Sequence, residues 1–312
     1  MVTIREYSSE IHGKWNEFVK ESRNGTFIHF REYMEYHKDR FPDMSLIAYH
    51  GNRIIAVLPA NISDGTLYSH QGLTYGGWLT NRKDVDIITM LEIFEQMINL
   101  LKEKGTNRII YKTIPHIYHS YPAEEDIYAL FRQKAELIVS NVSATIPLNA
   151  PLRFNENSRR SVKSALSGNV TVEESEELDI FWNILTENLN ARYNTAPIHT
   201  IEEIKYLKNL FPDNIKLFTA GLNGNILGGV LIYDTGIVAH AQYIAASHQG
   251  KDNKVLPLIF QYLIQERYSS RKYFDFGISN ENGGQYLNEG LSMQKTGMGG
   301  RAIVYNTYQI TI

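Results

Sequence analysis

The alternation of apolar and polar positions is clearest between residues 214 and 277. It predicts strands from Ile215 to Ala220, Ile226 to Tyr233 and Ile237 to Ala245, because successive side chains on a strand point to opposite faces. Asn223-Gly224 separates the first two runs, and this dipeptide favours the positive-φ turn that joins hairpin strands. The period then changes. Val255, Leu258, Ile259, Tyr262 and Leu263 share one face of a helix running to Tyr268, and Tyr273 to Gly277 returns as a short strand. A strand that feeds a helix N-terminus is a common way to hold an anion, because the first-turn N–H groups lack partners.

The same order occurs earlier. Gly51-Asn52 and Val57-Leu58 stand in their hairpin as Gly224-Asn225 and Val230-Leu231 stand in theirs. Trp15 opens a helical run before the first hairpin and Trp182 before the second. The amphipathic run from Val85 to Lys104 matches the later helix, and Arg108 to Lys112 matches the strand at Tyr273. A repeat of this length implies two copies of one domain. The 312 residues also suit two domains, each able to bury its own core. Pro147 and Pro151 mark the expected joint, giving domains at 1–150 and 151–312.

Composition narrows the chemistry. The net charge of −3 calls for no nucleic acid globally. The absence of cysteine removes disulfides, thiolate metal sites and cysteine nucleophiles, and fits a reducing, cytoplasmic setting. No run of about 20 apolar residues spans a membrane, and residues 1–6 lack a signal-peptide pattern. His116, His119 and His70 make a weak metal set, so no metal is expected. No Gly-x-Ser-x-Gly elbow or nucleotide fingerprint occurs.

After the joint, an Asn or Ser in the run from Asn155 to Ser158 as cap and Gly168 as stop bracket a short helix. Arg159 and Lys163 share its face, with Arg160 beside them. The cluster suits a phosphate or carboxylate, or is a solvated surface. Tyr75 and Trp78 either stack on a sugar or peptide or belong to a tight turn and its core. Asp275, between Phe274 and Phe276, faces away from both; it is a candidate base, or it fixes the loop that follows. Tyr243, at the end of the third strand, offers a hydroxyl to a leaving group, or simply packs.

The segment Arg159-Arg160-x-Val162-Lys163-x-Ala165, the Phe274-Asp275-Phe276-Gly277 strand, the run from Gly290-Leu291 through Lys295 to Gly300, and Tyr75-Gly76-Gly77 after Leu58-Pro59 resemble the FemAB-type transferases. The resemblance implies an α/β (α+β) fold of two tandem GNAT-like domains, each a mixed, mostly antiparallel sheet flanked by helices. It also implies acyl or aminoacyl transfer to a primary amine of a cell-envelope or polysaccharide precursor, with acyl-CoA or aminoacyl-tRNA as donor. The acceptor would lie near Arg159, Arg160, Lys163, Tyr75 and Trp78. Catalysis would fall to Asp275, Lys295 and Tyr243, and the donor would meet Gly250, Lys251 and Lys254. That loop carries one glycine where single-domain acetyltransferases carry a pair, and Gln294 stands where the family has an aromatic. An acetyl-CoA-dependent acetyltransferase of an amino sugar or small amine, and a non-catalytic binding protein on the same fold, remain alternatives.

Overall fold

The computed structural model describes residues 1–312, the side chain of Tyr193 excepted. The chain divides into two compact units. Unit 1 comprises Met1–Asn141, Asn282–Gln285 and Val304–Ile312; unit 2 comprises Val142–Glu281 and Tyr286–Ile303.

Unit 1 contains β1 (Val2–Glu6), α1 (His12–Glu21), α2 (Arg31–Glu35), β2 (Leu46–His50), β3 (Arg53–Leu58), β4 (Asn61–Ser63), β5 (Thr66–Tyr68), β6 (Leu79–Thr80), α3 (Ile87–Glu103), β7 (Arg108–Lys112) and α4 (Glu125–Arg132). Strands β1, β2, β3 and β6 form one antiparallel sheet, while β4 pairs with β5 and β5 runs parallel to β7. Helix α3 begins where Asp86 accepts a hydrogen bond from the Thr89 N–H, and it buries Met90, Ile93, Phe94 and Met97 against the core. A side-chain cap of this kind satisfies one of the four orphan N–H groups of a helix start.

Strand β8 (Glu136–Pro147) leads into unit 2, which contains α5 (Glu156–Ser167), β9 (Thr171–Ser175), α6 (Leu178–Tyr193), α7 (Ile201–Leu210), β10 (Ile215–Leu222), β11 (Asn225–Asp234), β12 (Val238–Ala246), α8 (His248–Asp252), α9 (Val255–Tyr262), β13 (Tyr273–Ile278), β14 (Asn280–Glu281), β15 (Tyr286–Leu287) and α10 (Glu289–Gly297). The order β9-β10-β11-β12 is antiparallel, β13 runs parallel to β12, and residues 142–147 of β8 pair with β13. The predicted helix from Val255 ends as an α-helix at Tyr262 and continues as a π-turn over Leu263–Arg267. It packs Leu258, Ile259 and Phe260 on the sheet. Phe260 meets Phe274 and Phe276 edge-on at 6.0 and 4.9 Å, contacts that add about 0.5–1.5 kcal/mol each beyond area burial.

The last strand, β16 (Arg301–Thr311), pairs its residues from Thr307 onward with β7. The unit assignment therefore differs from the sequence boundary. Pro147 is no joint but a strand residue opposite Tyr273; the division falls at Asn141, and residues 304–312 belong to unit 1. Proline's missing N–H is tolerated there because Pro147 ends its strand.

Both hairpins carry a bulge. Ala48 faces Ala56 and Tyr49 faces Ile54, skipping Ile55; Ala220 faces Gly228 and Gly221 faces Ile226, skipping Leu227. Counted from the bulges, Gly51 matches Asn223 rather than Gly224. The match is one residue out of step with the sequence alignment, because both Gly51 and Asn223 take the first positive-φ turn position.

Candidate functional site

Strands β12 and β13 are paired only from Val238–Tyr273 to His240–Asp275. Beyond that pair the ladder ends. A bulge at Gln242, skipped where Leu231 faces Tyr243 and Ile232 faces Ala241, twists β12 away. At the parting point Asp275 is fully buried. Its carboxylate accepts from Ser143 Oγ at 2.5 Å, Thr145 Oγ1 at 2.9 Å and His240 Nδ1 at 2.8 Å. This explains the strand's pattern: Phe274 and Phe276 enter the apolar face, and Asp275 enters a polar pocket on the other. A buried carboxylate persists only when its lone pairs are taken up in this way.

Lys295, on α10, is also buried. Its Nζ donates to the carbonyl oxygens of Gly277 at 2.8 Å and Ile278 at 2.7 Å. Burial pushes its pKa down to about 8, against the opposing pull of the Asp275 charge. Lys295 is thus an internal cation that fixes the backbone just past the parting point. Gly277 has φ of +75°, a conformation that favours glycine. A Cβ there would lie 3.6 Å from His240 Cε1.

A cleft of about 510 Å³ lies between α5, the end of β12, the first turn of α9 and α10. Its wall includes Asn155, Ser158 and Ser161 of α5, Ala246 at the end of β12, Gly250, Lys251 and Lys254, and Met293, Gln294 and Met298 around α10. Val255, Leu256 and Pro257 of the first turn of α9 complete it. No carboxylate lines it among the described residues, and two lysines do. First turns of α5 and α9 and two ammonium groups favour an anion. Lys251 is oriented by Asn188, whose Oδ1 accepts from Nζ at 2.9 Å while its amide donates to the Ala246 carbonyl at 2.8 Å. The expected loop is instead the short helix α8, capped by the Ser247 hydroxyl on the Gly250 N–H. Gly250 is needed for close packing, since a Cβ would come within 2.2 Å of the Leu227 carbonyl.

Tyr243 lies along β12 with its hydroxyl 2.6 Å from His199 Nδ1 and its ring edge-on to Trp182 at 5.0 Å. The His199 backbone N–H also approaches the hydroxyl, at 3.4 Å. Burial pushes the phenol up to about 12, so it keeps its proton at neutral pH.

The predicted acceptor residues are not gathered here. Arg159, Arg160 and Lys163 are exposed and do not line the cleft; its wall takes the face of α5 that carries Asn157, Ser158 and Ser161. Arg160 is ion-paired with Glu156. Tyr75 and Trp78 are 3% and 1% exposed, in the interior of unit 1, so neither ring presents a face for a sugar to stack on. Asp275, with no exposed surface, cannot itself reach a substrate. Sequence reading missed His240, Asn188 and His199. His240 had one available signal, a histidine in an otherwise apolar strand; Asn188 and His199 had none.

In unit 1 the corresponding parallel pair, β5 and β7, does not open. The Ser69 N–H donates to the Ile110 carbonyl and the Lys112 N–H to Ser69 Oγ, extending the contact. Lys112 Nζ then binds the carbonyls of His70, Gln71 and Leu73, the last at 2.6 Å. Among the described residues no group of three or more His, Asp or Glu is placed to hold a metal ion.

No protein-family model and no curated protein sequence matches this chain. Solved structures do. FemX matches with a TM-score of 0.69 at 11% identity, over 99% of this chain and 97% of its own. L-PGS from Bacillus licheniformis matches with a TM-score of 0.62 at 11% identity, over 95% and 90%. A conserved protein of unknown function from Bacteroides thetaiotaomicron matches at 0.61 and 9% identity, over all of both chains. The chain has the FemAB-like tandem GNAT fold that its motifs implied.

Proposed function

We propose that the protein transfers an acyl or aminoacyl group from a phosphate-bearing carrier to a primary amine, with unit 2 holding the donor. The observation that carries this reading is the lysine-flanked cleft of about 510 Å³ between α5, the end of β12, the first turn of α9 and α10, with no carboxylate among its described lining residues. Carrier phosphates would lie against Lys251, Lys254 and the first turn of α9, where backbone N–H groups and side-chain charge act together. The donor carbonyl would lie at the parting of β12 and β13, where the ladder between the two strands has ended and a developing oxyanion would need N–H donors. Lys295 fixes the Gly277–Ile278 backbone there and adds a positive charge close by. Tyr243, protonated at working pH, donates its proton to the leaving atom. The closed unit 1 counterpart supports one donor site per chain.

The amine of a cell-envelope or polysaccharide precursor is the acceptor that the FemAB resemblance implies, and the likeness to FemX and L-PGS supports it at the level of fold. The test incubates the purified chain with acyl-CoA and aminoacyl-tRNA donors and amino-sugar or lysine-bearing acceptors, with amide formation followed by mass spectrometry. Transfer from one donor class identifies the carrier. Binding of neither class, with no transfer, refutes the reading.

A further inference from the structure

We infer that His240 is the base that receives the amine proton, and that Asp275 is its positioning residue. This rests on the transfer reading above for the chemistry, and on geometry for the assignment. Asp275 has no exposed surface, and Ser143, Thr145 and His240 all donate to its carboxylate. The His240 side chain retains 11% exposure while that of Asp275 retains none. The two are the last matched pair of the parallel ladder, so the imidazole stands where the strands separate. Gly277 holds the backbone at a positive φ next to this ring, with His240 Cε1, the ring edge beside Nε2, at contact distance from the place a Cβ would take.

The hydrogen bond to Asp275 engages Nδ1. With the proton held there, Nε2 is the basic nitrogen, and a carboxylate partner stabilises the ring once it is charged. Ser143 and Thr145 in turn fix the carboxylate, so the ring's orientation is determined by three side chains on two strands. The lone pair of the neutral amine attacks the donor carbonyl carbon and forms the C–N bond, and the amine's N–H proton passes to His240 Nε2. The tetrahedral intermediate then collapses, breaking the bond from the carbonyl carbon to the carrier's sulfur or oxygen. That atom takes the Tyr243 proton. His240 releases one proton to water and Tyr243 regains one. Amine and acyl donor become amide and free carrier, with no change of oxidation state.

Two measurements on the full chain test this. The first needs no turnover: diethyl pyrocarbonate labelling read by peptide mass spectrometry, with His248, 95% exposed in its side chain, as internal reference. His240 should be carbethoxylated, and Asp275→Asn should slow that labelling by at least about tenfold while His248 is unaffected. An unlabelled His240, or a rate indifferent to Asp275→Asn, overturns the assignment. The second is transfer by His240→Ala, expected to lose about a hundredfold or more in kcat with donor KM little changed, and to regain rate with added imidazole. Activity within threefold of wild type, or no rescue in a variant that melts normally, also overturns it. A wild-type chain that labels as expected but transfers nothing refutes the proposed function and leaves the dyad standing, so the two failures are distinguishable.

Discussion

The ammonium of Lys295 lies 2.8 Å from the carbonyl oxygen of Gly277. One residue on α10 thereby holds the backbone of β13 just beyond its pairing with β12. Lys295→Met would leave two buried carbonyls without their donor and cost about 1–3 kcal/mol. Lys295→Arg, too large for the same station, should recover little of it.

The same lysine predicts a pH dependence. Its folded pKa of about 8 lies below the ordinary lysine value of 10.5. Between those values the unfolded state binds more protons, so stability rises with pH across that window. Denaturant titrations at pH 7.5 and pH 10 should show wild type gaining on Lys295→Met at the higher pH. A constant difference between the two proteins would mean that Lys295 is not titrating as a buried group.

Asp126 behaves oppositely. Burial raises its carboxyl to about 7, and Tyr111 donates to it at 2.8 Å. Here the folded state binds the extra proton between the ordinary value of 3.8 and about 7, so stability falls as pH rises through that range. Asp126→Asn keeps an acceptor for Tyr111 and removes the titration. Its melting temperature should therefore gain on wild type from pH 4.5 to pH 7.5. A gap that narrows instead would show that the buried carboxylate is compensated by something else.

Much of this architecture could be read from residues alone. Asn223-Gly224 marked a hairpin, Gly168 marked the end of α5, and Trp15 and Trp182 fell in the helices expected of them. Local chemistry determines such features. Register across strands is another matter. That Asp275 faces Thr145 and His240 depends on how three distant strands align, and alternation within one strand carries no such information. Tyr75 and Trp78 were open to two readings for a related reason: an aromatic beside glycines looks the same in sequence whether the loop lies on the surface or is folded inward. The basic helix was recognised, but a helical wheel does not say which face will be turned to a cleft.

Tyr243→Phe keeps the edge contact with Trp182 and loses the hydroxyl bonded to His199. It should cost about 1 kcal/mol in stability and lower kcat by about tenfold to a hundredfold. With the phenol at about 12, that factor should stay constant from pH 6 to pH 9. A deficit that varies steeply within that range would assign the proton to another group.

Lys251→Glu and Lys254→Glu place carboxylates in a cleft that has none among its described lining residues. Each should weaken binding of a phosphate-bearing donor by about tenfold, with shallower salt dependence than wild type, as expected for lost charge-assisted contacts. Calorimetry with coenzyme A at two salt concentrations reads this if coenzyme A is the carrier, and filter binding reads it for charged tRNA. Unchanged affinity for the active donor would move the carrier out of the cleft.

Strand β16 completes the pairing of β7, placing Tyr308 opposite Tyr111. On the ribosome, β7 emerges long before its neighbour and must wait with one edge open, a condition that invites wrong partners. Vectorial synthesis therefore cannot finish unit 1 first. Its native closure is a late, long-range event, and chaperone dependence during translation should concentrate in that interval.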